Sequence, residues 1–211
     1  MRNRFDEQLF ELNREIIKMG AICEETIATA SKALTTGNTH LAGEVKANSS
    51  MIDRMERNIE SHCMKLLLHQ QPVARDLRLI SAALKMITDM KRIGDQAEDI
   101  SEIVTFLNGH TIEGMELIEE MAHETIEMVT ASVDAFVKKD VELANKVIAQ
   151  DDIVDAFFSK IKRGIITLIT ENSADGEFAL DLLMISKYFE RIGDHATNIA
   201  EWVIYSVTGT H

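Results

Sequence analysis

The sequence predicts an all-α protein made of two tandem, pseudo-symmetric three-helix bundles, with six long antiparallel helices in total. Residues 190–201 match residues 91–102 without gaps: both carry Arg-Ile-Gly-Asp, then Ala, Ile and Glu at the same offsets. Such a match indicates an internal duplication. Apolar residues also recur at intervals of three and four, as on one face of a helix. A single proline and an aromatic content of 5% argue against a β-rich fold.

Helix-breaking residues divide the chain into six segments of roughly 25 to 35 residues each, and 30 helical residues span about 45 Å. A residue before proline disfavours helix, whereas proline itself suits a helix start. The break at Lys139-Asp140 is the weakest of the set. In chain order the breaks are Gly37-Asn38, Gln71-Pro72, Asn108-Gly109 with Gly114 shortly after, Lys139-Asp140, the loop 172–176, and Gly209.

Apolar stripes within these segments predict the buried face of each helix. The stripe of the third segment comprises Met86, Met90, Ile93, Ala97, Ile100, Val104 and Leu107. The stripe of the fifth comprises Leu143, Phe157, Ile161, Ile165 and Leu168. The stripe of the sixth comprises Leu182, Ile185, Phe189, Ile192, Ala196, Ile199 and Val203.

The duplication extends into the second and fifth segments, where Ile52-Asp53 aligns with Val154-Asp155. Short connections make consecutive helices antiparallel, so each unit should run up, down and up. The predicted units are 1–110 and 111–211, with the joint near 108–115.

Composition excludes several classes of function. Lys and Arg number 22 against 35 Asp and Glu, giving a net charge of −13. Nucleic acid and anionic membrane surfaces both attract clustered basic residues, so neither is an expected partner. The two cysteines are too few for a disulfide framework or a cysteine-rich zinc site. No apolar run has the length of a membrane span or a signal peptide, so we expect a cytoplasmic protein.

Two pairs of carboxylates in the second half predict a metal site. Glu190 and Asp194 lie one turn apart on the side opposite the apolar stripe, and Asp151 and Asp155 repeat this spacing on the fifth helix. Like charges at this spacing destabilise a helix by about 0.2–0.5 kcal/mol. On adjacent helices the four acids would form a cluster that a cation could neutralise. The competing interpretation is a solvated acidic face on an acidic protein.

The first half departs from this pattern. Lys91 occupies the position of Glu190, and Ser49 occupies that of Asp151. We therefore predict a weaker or absent metal site, where the Lys91 ammonium supplies the positive charge that an ion supplies in the second half. The weaker site would consist of Asp53, Asp95 and Asp99.

Three further residues have other expected roles. Asp89 falls about 160° from Lys91 on a helical wheel, so it is excluded from the first-half cluster. Gly94 and Gly193 lie inside predicted helices, where glycine is less favourable than alanine by about 1 kcal/mol. We interpret both glycines as sites where another helix approaches closely, rather than as ligands.

Three features together resemble the PhoU family over nearly the whole chain. They are the tandem Glu-Arg-Ile-Gly-Asp-type helices, the segment 71–78 (Gln-Pro-Val-Ala-Arg-Asp-Leu-Arg), and an N-terminus with Phe5, Leu9 and Leu12 before Met19-Gly20. The resemblance implies a six-helix cytoplasmic negative regulator of the phosphate-starvation response. Such proteins are thought to connect a phosphate ABC transporter to a membrane sensor histidine kinase, which limits phosphate uptake.

The resemblance also implies a cofactor and an oligomeric state. Some family members bind iron or zinc through paired Glu/Asp-x3-Asp motifs, and many are homodimers. The implied ligands in this chain are Asp151, Asp155, Glu190 and Asp194. In the first half only Asp53 and Asp95 match, because the first acid of each pair is missing.

Other functions remain as alternatives to this regulatory adaptor. A carboxylate-bridged di-iron enzyme needs two Glu-x-x-His motifs, and the chain has one match, Glu120 to His123. The remaining candidate histidines, His62, His69, His110 and His195, are scattered, and no glycine-rich phosphate loop is present. We therefore do not expect an enzyme. A metal-binding or phosphate-sensing bundle without a kinase partner, and an adaptor whose acidic faces dock onto basic surfaces, stay open.

Overall fold

The computed structural model describes residues 2–70, 73–107, 116–171 and 176–210. Within these ranges the chain forms six α-helices and no strand, which confirms the all-α prediction. The helices are α1 (Arg2–Thr36), α2 (Leu41–Gln70), α3 (Ala74–Phe106), α4 (Glu116–Lys138), α5 (Val141–Glu171) and α6 (Gly176–Thr208).

Two helix junctions use the same backbone turn. Gly37 has φ 63° after α1, and the amide of Asn38 donates to the carbonyl of Ala33 at 3.1 Å. Lys139 has φ 56° after α4, and the amide of Asp140 donates to the carbonyl of Ala135 at 2.9 Å. A left-handed residue followed by this bond is the Schellman motif, which ends helices. Both breaks were predicted from the sequence.

The remaining predicted breaks have different outcomes. Gly209 follows α6 with φ 81°, as expected of a helix end. The breaks at Gln71-Pro72, at Asn108-Gly109 with Gly114, and over 172–175 lie outside the described residues. The predicted boundary between residues 110 and 111 lies there too and stays a prediction.

The apolar stripes form one continuous core. Every predicted stripe residue of α3 and α6 is buried. The α5 stripe is only partly right, since Ile161 and Ile165 are buried whereas Leu143, Phe157 and Leu168 are partly exposed. Within the described residues α5 packs only against α4 and α6, so these side chains are covered on fewer sides than those of α3 and α6.

The packing pattern is consistent with two three-helix units. Helices α1, α2 and α3 pack together, and so do α4, α5 and α6. The units join through α3 against α6 and α1 against α4, while α2 packs only within its own unit among the described residues. The described helices include none with the length and hydropathy needed to cross a membrane.

Gly94 and Gly193 mark equivalent close approaches in the two units. A Cβ atom added to Gly94 would lie 2.9 Å from Cδ1 of Ile52 on α2. One added to Gly193 would lie 3.4 Å from Cγ1 of Val154 on α5. Since Ile52 and Val154 are aligned positions of the repeat, the packing confirms both the duplication and the interpretation of these glycines.

Candidate functional site

Asp151, Asp155 and Asp194 lie near one another where α5 crosses α6, but the structure does not bring three of their ligand atoms within 4.8 Å of one another. Asp151 is half-buried, and a Cβ atom at Gly193 would lie 3.4 Å from its Oδ1 atom. The absence of a side chain at Gly193 therefore gives the Asp151 carboxylate room between the two helices. Asp155 on α5 and Asp194 on α6 are exposed beside it.

The pKa of Asp151 reflects both its burial and the neighbouring carboxylates. Burial first, and then the charges of Asp194, Asp155 and Asp152, raise the pKa of Asp151 to about 6, while the Thr197 hydroxyl acts in the opposite direction. No salt bridge joins Asp151, Asp155 or Asp194 to a basic side chain of the described residues. Like-charged carboxylates without a basic partner favour binding of a cation.

Glu190, the fourth predicted ligand, has a partner of its own. Its side chain is 14% exposed and forms an ion pair with Lys187, one turn earlier on α6. The Lys187 ammonium also lies 5.3 Å from the ring centroid of Phe158 on α5. Three of the four predicted carboxylates are thus available, whereas Glu190 would have to leave Lys187 before it could bind a metal.

The first-half residues form an internal ion pair, as the sequence predicts. The Lys91 ammonium lies 2.6 Å from Oδ2 and 2.7 Å from Oδ1 of Asp95, and 3.5 Å from Oδ1 of Asp53. Arg92 also contacts Asp95 at 3.4 Å. The positive charge in this half is therefore supplied by the chain itself.

Asp99, assigned to the weaker site, lies towards the other unit. Burial raises its pKa, and so do the charges of Asp95, Glu102 and Glu98, while Arg191 of α6 lowers it. Asp99 is thus near both Asp95 and the seam between α3 and α6.

Three residues near these clusters were not identified from the sequence. Glu56 and Thr197 each lie three positions after a predicted ligand on the same helix face, and Lys187 lies three positions before one. That spacing was the available signal. Asp89 was rightly left out of the first-half cluster, but its contact with His195, 2.9 Å away on α6, was not foreseen.

A different group of side chains lies closer together. Of the residues described, only His123, Glu124 and Glu127 of α4 place three potential metal-ligating atoms within 4.8 Å of one another. Gln150 of α5 donates a 2.8 Å hydrogen bond to Glu124. His123 and Glu127 are 70% and 56% exposed and belong to one helix, so this group has the character of a solvated helix face.

The four predicted second-half ligands offer one kind of donor atom. Asp151, Asp155, Glu190 and Asp194 offer only carboxylate oxygens, which suit hard or borderline cations. Both thiols lie elsewhere: Cys23 and Cys63 are fully buried in the first unit, and burial raises the pKa of both. The donor set therefore fits a metal bound by oxygen.

Comparisons with known proteins agree with this architecture. The PhoU domain family model matches residues 16–104 and 118–203, one match in each unit. A phosphate-specific transport system accessory protein PhoU homolog from Clostridium acetobutylicum is 34% identical, covering 99% of this chain and 96% of that protein. The homolog from Pseudomonas aeruginosa is 34% identical, covering 98% of this chain and 86% of that protein.

Two solved structures are also similar. The crystal structure of PhoU from Pseudomonas aeruginosa has a TM-score of 0.93 and 34% identity, covering 98% of this chain and 100% of that one. The phosphate transport system regulatory protein PhoU from Streptococcus pneumoniae has a TM-score of 0.89 at 24% identity, covering 98% of each chain. At 24% identity, the similarity to the Streptococcus pneumoniae protein concerns the fold alone.

Proposed function

Because this chain belongs to the PhoU family, we propose that it is a negative regulator of the phosphate-starvation response. In this role it is a cytoplasmic adaptor, working as a homodimer, that couples a phosphate ABC transporter to a sensor histidine kinase. Through that coupling it limits phosphate uptake when phosphate is plentiful. It is an accessory protein and not an enzyme.

One observation carries the proposal: the family match falls on both units, and relatives named as transport-system accessory proteins align over nearly the whole chain. The net charge of −13 adds a physical reason for docking. Acidic surfaces attract basic partner surfaces and steer their encounter.

The proposed cofactor is a divalent or trivalent metal, iron or zinc, held in the second half. Asp151, Asp155 and Asp194 would hold it first, joined by Glu190 once that side chain leaves Lys187. When bound, the metal would neutralise the clustered carboxylates and bridge α5 to α6. The unpaired carboxylates and the raised pKa of Asp151 support this assignment.

A reporter assay tests the regulatory role. In a strain lacking the protein, grown in ample phosphate, a phosphate-starvation reporter such as alkaline phosphatase should rise, and the wild-type chain should silence it again. Glu190→Ala with Asp194→Ala should fail to silence it. Asp134→Asn, on the exposed face of α4, is the matched control. A reporter that stays low without the protein, in a strain with no second copy, would contradict the proposal.

The alternative is a metal-binding or phosphate-sensing bundle without a kinase partner. The carboxylate cluster favours it, because a metal held by few protein ligands keeps positions open for phosphate. Calorimetric titration with phosphate tests the direct-sensing part of this alternative. Heat from metal-loaded protein that the metal-free protein lacks would support direct sensing, and equal heats would exclude it.

A further inference from the structure

The two units differ in how their carboxylates are neutralised. We infer that Lys91 is a tethered counter-ion that fills a latent cation site formed by Asp53, Glu56 and Asp95. The chain accordingly binds metal in its second unit only, and Lys91 determines how many metal sites it has. The number of metal ions expected in the wild-type chain rests on the proposed metal centre. The latent site is tested independently of that centre.

The Lys91 ammonium lies where a bound cation would lie. Its Nζ atom contacts both oxygens of Asp95, at 2.6 and 2.7 Å, and reaches Asp53 on the neighbouring helix at 3.5 Å. The three side chains are 28%, 28% and 38% exposed, so the group is half-buried. A single positive charge thus links carboxylates of α2 and α3, as a metal between these helices would.

The ammonium keeps its charge at this position. Burial lowers the pKa of Lys91, but hydrogen bonds and the charges of Asp95 and Asp53 outweigh burial, and the pKa is raised. A free cation would have to displace an ammonium that donates hydrogen bonds to both oxygens of Asp95 and is attached to the same helix.

Glu56 is a third acidic residue beside this pair. It lies three positions after Asp53 on α2, and therefore on the same helix face. Burial raises the pKa of Glu56, Lys91 lowers it, and the charges of Asp53 and Asp95 raise it. Glu56 is half-buried and near enough to Lys91, Asp53 and Asp95 for their charges to act on it.

The backbone framework is the same in both units. Ile52 packs against Gly94 as Val154 packs against Gly193, which brings the helix pairs together at equivalent points. Lys91 stands at the position of Glu190, so one substitution exchanges a ligand for a cation. The other missing acid is replaced by Ser49, which is 4% exposed, and Glu56 offers a carboxylate in its place.

Counting bound Mn²⁺ tests the inference. Purified variants of this chain are dialysed against Mn²⁺, which prefers oxygen ligands, and bound metal per chain is measured by elemental analysis. Lys91→Glu removes the ammonium and adds a carboxylate, and Lys91→Gln removes the ammonium alone. Lys65→Glu makes the same charge change on the exposed face of α2, about 18 Å along that helix from Asp53.

The expected result is that Lys91→Glu binds about one more Mn²⁺ per chain than wild type, whereas Lys65→Glu matches wild type. Lys91→Gln should also bind the additional ion, but more weakly. Without metal, Lys91→Glu should melt below wild type because it adds a like charge beside Asp95. Mn²⁺ should then raise its melting temperature more than that of wild type.

A second background separates failure of this inference from failure of the proposed centre. Asp151→Asn with Asp194→Asn should abolish Mn²⁺ binding in the wild-type chain, and adding Lys91→Glu should restore about one ion. If wild type binds no Mn²⁺ but Lys91→Glu binds it, the second-half centre is wrong and the latent site stands. If Lys91→Glu binds no more than wild type, and shows no extra metal-dependent melting shift, the inference is overturned.

Discussion

His195 of α6 and Asp89 of α3 meet across the seam between the two units, with Nδ1 of His195 2.9 Å from Oδ1 of Asp89. Asn198, on the same helix as His195, donates to the same oxygen at 3.2 Å. The two paired side chains are only 22% and 15% exposed. This contact links α3 to α6, and so one unit to the other.

We predict that His195→Ala lowers the free energy of unfolding by about 1–2 kcal/mol, because Asp89 then loses a partner in a partly buried seam. Chemical denaturation at neutral pH measures the change. His123→Ala, whose imidazole is 70% exposed on α4, should cost less than about 0.5 kcal/mol. Equal effects from the two substitutions would contradict a structural role for the seam contact.

The two close-approach glycines should respond differently to alanine. Either substitution gains about 1 kcal/mol of helix propensity. At Gly193 the new methyl group meets neighbours at 3.4 Å or more, whereas at Gly94 it meets Cδ1 of Ile52 at 2.9 Å. Gly94→Ala should therefore be less favourable than Gly193→Ala by about 1 kcal/mol.

Ile52→Val provides the control for this prediction, because it removes Cδ1 and copies Val154 of the second unit. In that background Gly94→Ala should become more favourable by about 1 kcal/mol, a coupling that a double-mutant cycle measures. Additive effects would mean that the Cδ1 contact does not limit the packing of α2 on α3.

The turn after α4 contains a residue poorly suited to its backbone. Lys139 has φ 56°, in the same turn where the first unit has Gly37 at φ 63°. A left-handed conformation costs a non-glycine residue about 1 kcal/mol. Lys139→Gly should therefore raise the free energy of unfolding by about that amount. Lys138→Gly, one residue earlier inside α4, should lower it by a similar amount, and a loss of stability at both positions would contradict the argument.

The fold was predictable because its signals are local. The stripes of α3 and α6 and the breaks at Gly37 and Lys139 each depend on a few neighbouring residues. The α5 stripe was predicted less well, since a helical wheel does not show that α5 has neighbours on only part of its circumference. Phe157 consequently appeared to be a core residue although it is partly exposed.

The candidate site was predictable only in part. Spacing paired Asp151 with Asp155 and Glu190 with Asp194, and the antiparallel bundle predicted that their helices are neighbours. The substitution at Lys91 indicated the first-half ion pair. The partner of Glu190 depends on which rotamer Lys187 adopts beside Phe158, and the partner of Asp89 depends on which flank of α3 meets α6. Both depend on how neighbouring helices pack, which the pattern of one helix does not show.

The crowding of Asp151 predicts a specific pH dependence in metal-free protein. Its pKa rises from an ordinary value of 3.8 to about 6 on folding, so the folded state holds this proton more tightly than the unfolded state. The contribution of Asp151 to stability should therefore decrease as the pH rises from about 4 to about 6, and the penalty should persist above that range. Asp151→Asn removes the ionisable group. It should raise the melting temperature near neutral pH, and the gain should shrink towards zero as the pH falls to about 4.

Asp134→Asn separates this effect from a general benefit of removing acidic charge. Asp134 is paired with Lys138 at 2.7 Å on the exposed face of α4, so its loss removes an attraction rather than a repulsion. It should leave the melting temperature unchanged or slightly lower near neutral pH. Melting curves of both variants across this pH range, recorded with a chelator present, make the comparison. If Asp151→Asn raised the melting temperature equally at every pH, the Asp151 carboxylate would not be the group whose pKa is raised. Adding metal should then stabilise wild type and variant alike.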